Sequence, residues 1–333
     1  MTAPLRLTLA TSYYDQVADI LSGRQSVEGV ELHCLQLTVE EIFQRFLRFR
    51  EWDVSELSMA GYVAMIAAGD TSLVGLPIFP SRVFRHSSVY VRTGDITTPE
   101  QLRGKRIGVP EWAQTATVYL RALLVDEWQI PLTEVDWVQA GVNDPGREEK
   151  AEIHLPAGVS LTPAPERSLD EMLLAGDLDA VFSAHPPTSY LTGDPRVTRL
   201  FERDYPTVEE EYGRRTGIVP IMHLMVVRRE VFDAEPWLGP NLLTAFERAR
   251  DASVRRLGRA PGGPGSPVPL LWTAAELART ASVFGGQVWP YGVAANRRTL
   301  DAFCDWCHQQ GVTARRVTLD ELFPPSVGFT PRT

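Results

Sequence analysis

Hydrophobic positions in this chain alternate between two spacings, one of two residues and one of three to four. Leu5, Leu7 and Leu9 alternate with polar neighbours, which predicts a strand over 5–10, and Tyr13 to Leu21 reads as a helix entered after the Thr11-Ser12 turn. Val30 to Leu35 alternates as a second strand, Thr38 is placed to cap a helix over Val39 to Phe49, and Asp53 to Leu57 forms a short third strand. Strands and helices in strict alternation predict an α/β fold with a mostly parallel sheet. Ligands of such sheets gather at the carboxyl ends of the strands.

The run LVGLPIFPSRVFRHSSVYVRTGD, starting at Leu73, holds apolar strand-like pieces around Pro77 to Arg82 and then turns polar, which predicts a crossing into a second lobe. A second α/β unit opens with PEQLRGKRIGVPEW: RIGVP is a strand, and Thr115 to Trp128 fits a helix. It continues through a helix over Leu169 to Leu174 and the apolar strand LDAVFSA. After Gly217, IVPIMHLMVVRRE reads as a buried strand returning to the first lobe. Helices over Pro240 to Leu257 and Ala274 to Phe284 flank APGGPGSPVP, a Gly/Pro-rich loop, and a last helix covers Asn296 to Gln310. The expected division is 1–93 plus 221–333 for one lobe and 94–220 for the other. A length of 333 residues suits two cores better than one.

With 44% hydrophobic and 23% charged residues the chain has the composition of a folded globular protein. Its net charge of −9, with the arginines scattered, argues against nucleic acid as a partner. An anionic ligand must therefore be caught by individual Arg side chains and backbone N–H groups. No stretch reaches the roughly 18 apolar residues of a membrane span. The start MTAPLRLTLATSYYD lacks the pattern of an export signal, and three cysteines fit a reducing compartment, so the expected location is cytoplasmic, without a membrane partner. A homo-oligomer is left open.

Arg82, Arg85 and His86 fall together at the first crossing, where an interlobe cleft would be basic. Arginine binds carboxylates through a planar fork, so Arg82 and Arg85 are candidate anchors, against the plainer reading that one pairs with Asp53 or Glu56. His86 and His223 sit at the two crossings and are candidates for proton transfer near neutral pH. Ser55, Glu56 and Ser58 end the third strand, where Glu56 either orients a histidine, shares its proton, or is an ordinary carboxylate at a helix N-terminus. Glu111, Trp112 and Thr115 end another strand and open a helix: a second carboxylate, a ring to stack on and an anion-binding hydroxyl. The string CDWCH at 304–308 matches a haem-attachment motif, but Cys304 and Cys307 share the apolar face of a helix with Leu300 and Phe303 and read as packing residues.

The two crossings, "LRGKRIGVP" and the return strand ending "VVRRE" resemble the type 2 periplasmic-binding-protein fold. Within it, FPSRVFRHSSVYVR, GVPEW with Thr115-Ala116, TGIVPIMH and YGVAANRRTL resemble the 4,5-dihydroxyphthalate decarboxylase family, with departures in APGGPGSPVP and over His154 to Glu166, which reads as an insertion. The resemblance implies a non-oxidative decarboxylase of a hydroxylated aromatic carboxylate bound in the interlobe cleft. It implies ipso protonation and loss of CO₂ with no electron-sink cofactor, a divalent metal remaining an option. The rivals are a solute receptor or sensor of the same fold, and an enzyme of this scaffold acting on another substrate.

Overall fold

The structure is a computed structural model that describes residues 3–258 and 270–325; the APGGPGSPVP loop lies outside the described residues. Eleven strands are described: β1 (Leu5–Thr11), β2 (Val30–Gln36), β3 (Val54–Ser58), β4 (Leu73–Arg82), β5 (Val89–Arg92), β6 (Arg106–Val109), β7 (Asp136–Gly141), β8 (Leu161–Ser168), β9 (Ala180–Phe182), β10 (Val197–Arg199) and β11 (Ile221–Arg228). They form two sheets, one ordered β2-β1-β3-β11-β4 and the other β10-β5-β9-β6-β7-β8. In the first sheet β1 runs parallel to β2 and β3, while the returning β11 inserts antiparallel between β3 and β4.

The chain leaves the first sheet at Arg82 and joins the second at Val89, so residues 83–88 connect the two sheets. Val89 to Val91 pair with β9 and Tyr90 to Arg92 with β10. The segment over His154 to Glu166 enters β8, which pairs with β7 at the edge of the second sheet.

Strand β4 is buried along its whole length yet carries Pro77 and Pro80. Proline cannot donate to a ladder, and it is tolerated here because β4 is an edge strand whose pairing breaks at these residues. His223 pairs with Ser81 but Met225 pairs with Leu76, a bulge that re-aims the strand just before the crossing.

Thr38 accepts the Glu41 N–H at 3.4 Å and starts the helix Val39–Phe49, which buries Ile42 and Phe46. Ser58 caps the helix Met59–Ala67 in the same way. The helix Thr115–Ala122 is buried at every residue and passes into a wider π turn over Leu123–Glu127, short of the regular helix to Trp128 that periodicity predicts. The long helix Val293–Gln309 packs on both Met59–Ala67 and Thr115–Ala122, and so touches elements that follow strands of both sheets. One apolar cluster draws on both sheets and a smaller one lies around Tyr90, Val138 and Leu169. Among the described residues no helix is long and apolar enough to cross a membrane.

Candidate active site

A cavity of ≈ 1040 Å³ opens between the two sheets. Tyr14, Val39, Glu40, Phe43, Ser58 and His223 line it from the first sheet's side, and Glu111, Gln114, Thr115, Arg147 and His185 from the second's. It lies at the carboxyl ends of the parallel strands, since Ser58 ends β3 and Glu111 and Thr115 follow β6.

Strand pairing builds the centre of the site. His223 on β11 lies opposite Ser58 on β3, and Met225 opposite Glu56, so Glu56 and His223 are diagonal neighbours on one face. His223 Nδ1 is 2.6 Å from Glu56 Oε1. The Tyr14 hydroxyl donates to the same oxygen at 2.7 Å, while Oε2 accepts from the Thr11 hydroxyl and the Ser12 N–H, both at 2.8 Å. Burial alone would raise the carboxyl's pKa, but the bonds from His223, the Ser12 N–H and Tyr14 outweigh it and hold Glu56 below its usual value, ionised at neutral pH. The Tyr14 phenol is pushed well above its ordinary range, first by burial and then by the Glu56 charge. With Nδ1 on Glu56, no described protein group engages Nε2 of His223, whose ring forms part of the cavity wall. Phe43 packs perpendicular to the imidazole, with ring centroids 5.0 Å apart.

Two helix N-termini converge beside this pair. The Ser58 and Thr115 hydroxyls are 3.0 Å apart, and Thr115 Oγ1 also accepts the Ala60 N–H at 3.0 Å. Arg85 lies on the cavity wall with its guanidinium buried, and among the described residues its hydrogen-bond partners are the Met222 sulfur and, at 3.5 Å, the Ser88 hydroxyl. It forms no ion pair among the described residues, and burial lowers its pKa to about 10, which leaves it charged at neutral pH. Glu111 also lines the cavity, but Arg147 at 2.7 Å and Lys150 at 3.2 Å neutralise it.

Four residues picked out by the sequence lie elsewhere. His86 is buried against Phe201 and Tyr212, off the cavity wall and out of contact with His223, because the short turn His86–Ser88 directs it under the helix Tyr205–Thr216. Arg82 is a structural cation: its guanidinium donates to the carbonyls of Val219 and Pro290 and to the Asn296 amide oxygen, and packs beside Phe79, Phe284 and Trp289. Ser55 is fully buried between the Trp52 indole and the Glu56 carbonyl. Trp112 is fully buried against Trp137 and Arg121, its indole donating to the Gln310 carbonyl, so it has no face left for a ligand.

Sequence reasoning passed over Tyr14, Phe43, Arg147 and Lys150. Tyr14 follows the end of β1, and Phe43 lies within the helix Val39–Phe49. Among the described residues no group of three or more His, Cys, Asp or Glu side chains is placed to hold a metal ion.

No protein-family model matches the chain. Among solved structures, the periplasmic aliphatic sulphonate binding protein SsuA from Escherichia coli superposes with a TM-score of 0.54 at 13% identity, covering 96% of this chain and 97% of that one. The desulfurization enzyme DSZB superposes with a TM-score of 0.52 at 16% identity, covering 96% of each. These likenesses show the two-lobed periplasmic-binding-protein-like fold. Among curated proteins, 4,5-dihydroxyphthalate decarboxylase from Comamonas testosteroni is 37% identical over 324 residues, 97% of each chain. The protein of that name from Pseudomonas putida is 38% identical over 199 residues, 59% of this chain and 77% of that one. A shared fold alone would admit a transport receptor, but identity of this extent over nearly the full length does not leave the choice open: the chain belongs to the 4,5-dihydroxyphthalate decarboxylase family and is a carboxy-lyase.

Proposed function

We propose that the chain decarboxylates 4,5-dihydroxyphthalate or a closely similar hydroxylated aromatic dicarboxylate, with His223 and Glu56 moving the phenolic proton and Arg85 holding a carboxylate. The observation that carries this reading is the bond of 2.6 Å between a buried, ionised carboxylate and a histidine on the wall of the interlobe cavity. The two lobes we propose are built on the first sheet (residues up to 82 and from 221) and on the second (89–199).

In this substrate each carboxyl group lies para to a hydroxyl. Nε2 of His223 accepts the proton of that hydroxyl, while Glu56 fixes the tautomer through Nδ1–H and stabilises the imidazolium as it forms. The phenolate raises electron density on the para carbon, which bears the carboxylate and takes a proton from solvent to give a dienone. The bond to the carboxylate then breaks, its electron pair restores the aromatic ring and the phenolate, and CO₂ leaves. The phenolate recovers its proton from His223, so that one solvent proton has replaced one carboxylate. Arg85, without an ion-pair partner on the wall, suits the carboxylate that stays, and the hydroxyl proton that Ser58 and Thr115 leave over from their mutual bond adds a donor for the other.

The test is to incubate the protein with 4,5-dihydroxyphthalate and follow CO₂ and 3,4-dihydroxybenzoate, then repeat in D₂O. One deuterium on the carbon that lost the carboxylate is expected. Tight binding of the acid without CO₂ would overturn 4,5-dihydroxyphthalate as the substrate.

A further inference from the structure

The helix Val39–Phe49 has two apolar stripes where one would anchor it. Ile42 and Phe46, four residues apart, are fully buried and attach it to the first lobe. Val39, Phe43 and Leu47, also four apart, form a neighbouring stripe that lines the cavity, and Leu47 remains 42% exposed. Apolar side chains left open in the cleft are covered only when something apolar enters it. Phe43 holds the middle of this stripe, perpendicular to the His223 ring at a centroid distance of 5.0 Å and an interplanar angle of 89°. A ring brought to Nε2 of His223 therefore shares the cavity with Phe43.

We infer that Phe43 is the wall on which the substrate ring packs, and that it makes the cavity select a planar aromatic diacid over a puckered one with the same carboxylates. The inference deepens the decarboxylase reading of this cleft and rests on it for the identity of the occupant. A flat ring offers Phe43 a stacked or edge-to-face contact, whereas a saturated ring offers neither geometry. Such contacts change affinity by about two- to tenfold.

The experiment measures the affinity of phthalate, which lacks the hydroxyls needed for turnover, and of cis-cyclohexane-1,2-dicarboxylate, for the parent protein, Phe43→Leu and Phe43→Trp. The parent is expected to prefer phthalate. Phe43→Leu should cut that preference by about two- to tenfold while holding the saturated acid within twofold, and Phe43→Trp should keep it. An unchanged ratio in Phe43→Leu, equal weakening of both acids, or binding of neither acid by the parent overturns the inference. If the parent prefers phthalate through Phe43 yet releases no CO₂ from 4,5-dihydroxyphthalate, the proposed reaction fails and the role of Phe43 stands.

Discussion

The imidazole of His223 and the carboxylate of Glu56 share a bond of 2.6 Å although 167 residues separate them in sequence. Four donors surround that carboxylate, so its charge and its position are both fixed before any ligand arrives. A preset partner of this kind sets which nitrogen of His223 carries the proton and keeps the other free to act as a base.

Glu56→Gln should lower kcat by about 10² to 10⁴ while leaving the affinity for phthalate within a fewfold, because the amide keeps the shape but not the charge that stabilises the imidazolium. Steady-state kinetics with titration of phthalate separates the two effects. In acid, the depressed pKa of Glu56 means that its contribution to stability is present above the ordinary value of 4.5 and is lost as pH falls through its lower folded value. The parent should therefore lose more stability than Glu56→Gln below pH 4.5.

Arg85→Ala should weaken binding of the acid by about ten- to a hundredfold, the value of one charge-assisted hydrogen bond, with little change in melting temperature. Arg82→Ala should do the reverse. Its guanidinium satisfies three buried acceptors, and leaving the Val219 carbonyl and the Asn296 amide oxygen unpaired should cost about 2–4 kcal/mol of stability. Equal loss of affinity in both variants would show that the two arginines share the ligand.

Burial, aided by the Arg215 charge, pushes the pKa of His86 down to about 4. Since the unfolded value is 6.5, the contribution of neutral His86 is complete above pH 6.5 and is lost as pH falls toward 4. His86→Phe should flatten the dependence of unfolding free energy on pH across that window and leave turnover near the parent level. A large fall in kcat in the folded variant would return His86 to the chemistry.

Glu40 and His185 join opposite walls of the cavity at 2.9 Å, with both side chains more than half exposed. An exposed pair contributes only about 0.2–1 kcal/mol. Glu40→Gln should thus speed phthalate release by no more than about fivefold, and added salt should erase the difference. Stopped-flow displacement at two ionic strengths measures it.

Cys304 and Cys307 are both fully buried, and burial raises the Cys304 thiol to about 12 and Cys307 well above its ordinary value. Replacing both by alanine should leave activity intact and lower the melting temperature through lost packing. Loss of turnover in a folded double variant would assign them a role beyond packing.

Local order was readable where a single segment decides it. The Thr38 cap, the helix Val39–Phe49 and the strand ends that carry Glu56 and Glu111 all follow from spacing within a few residues. What could not be read were choices made by distant partners. Arg82 and Arg85 stand three residues apart, yet Arg82 ends β4 and turns into the core while Arg85, in the connection after it, reaches the cavity. Tyr13 and Tyr14 are adjacent, and only the placement of Glu56 shows that Tyr13 faces outward, 58% exposed, while Tyr14 reaches the carboxylate. The pairing of Glu56 with His223 needed the register of β3 on β11, which no local pattern contains.

Behind the cavity, the helix Val293–Gln309 leans on the helices that follow β3 and β6, and Gln310 just past its end accepts from both the Trp112 indole and the Arg121 guanidinium. The hinge of this clamshell is thereby splinted. Two halves joined only by crossing strands would be free to twist as well as to gape, whereas a rod fastened across the spine resists twisting. Gaping at the rim, where Glu40 faces His185, is the motion that such a splint leaves free.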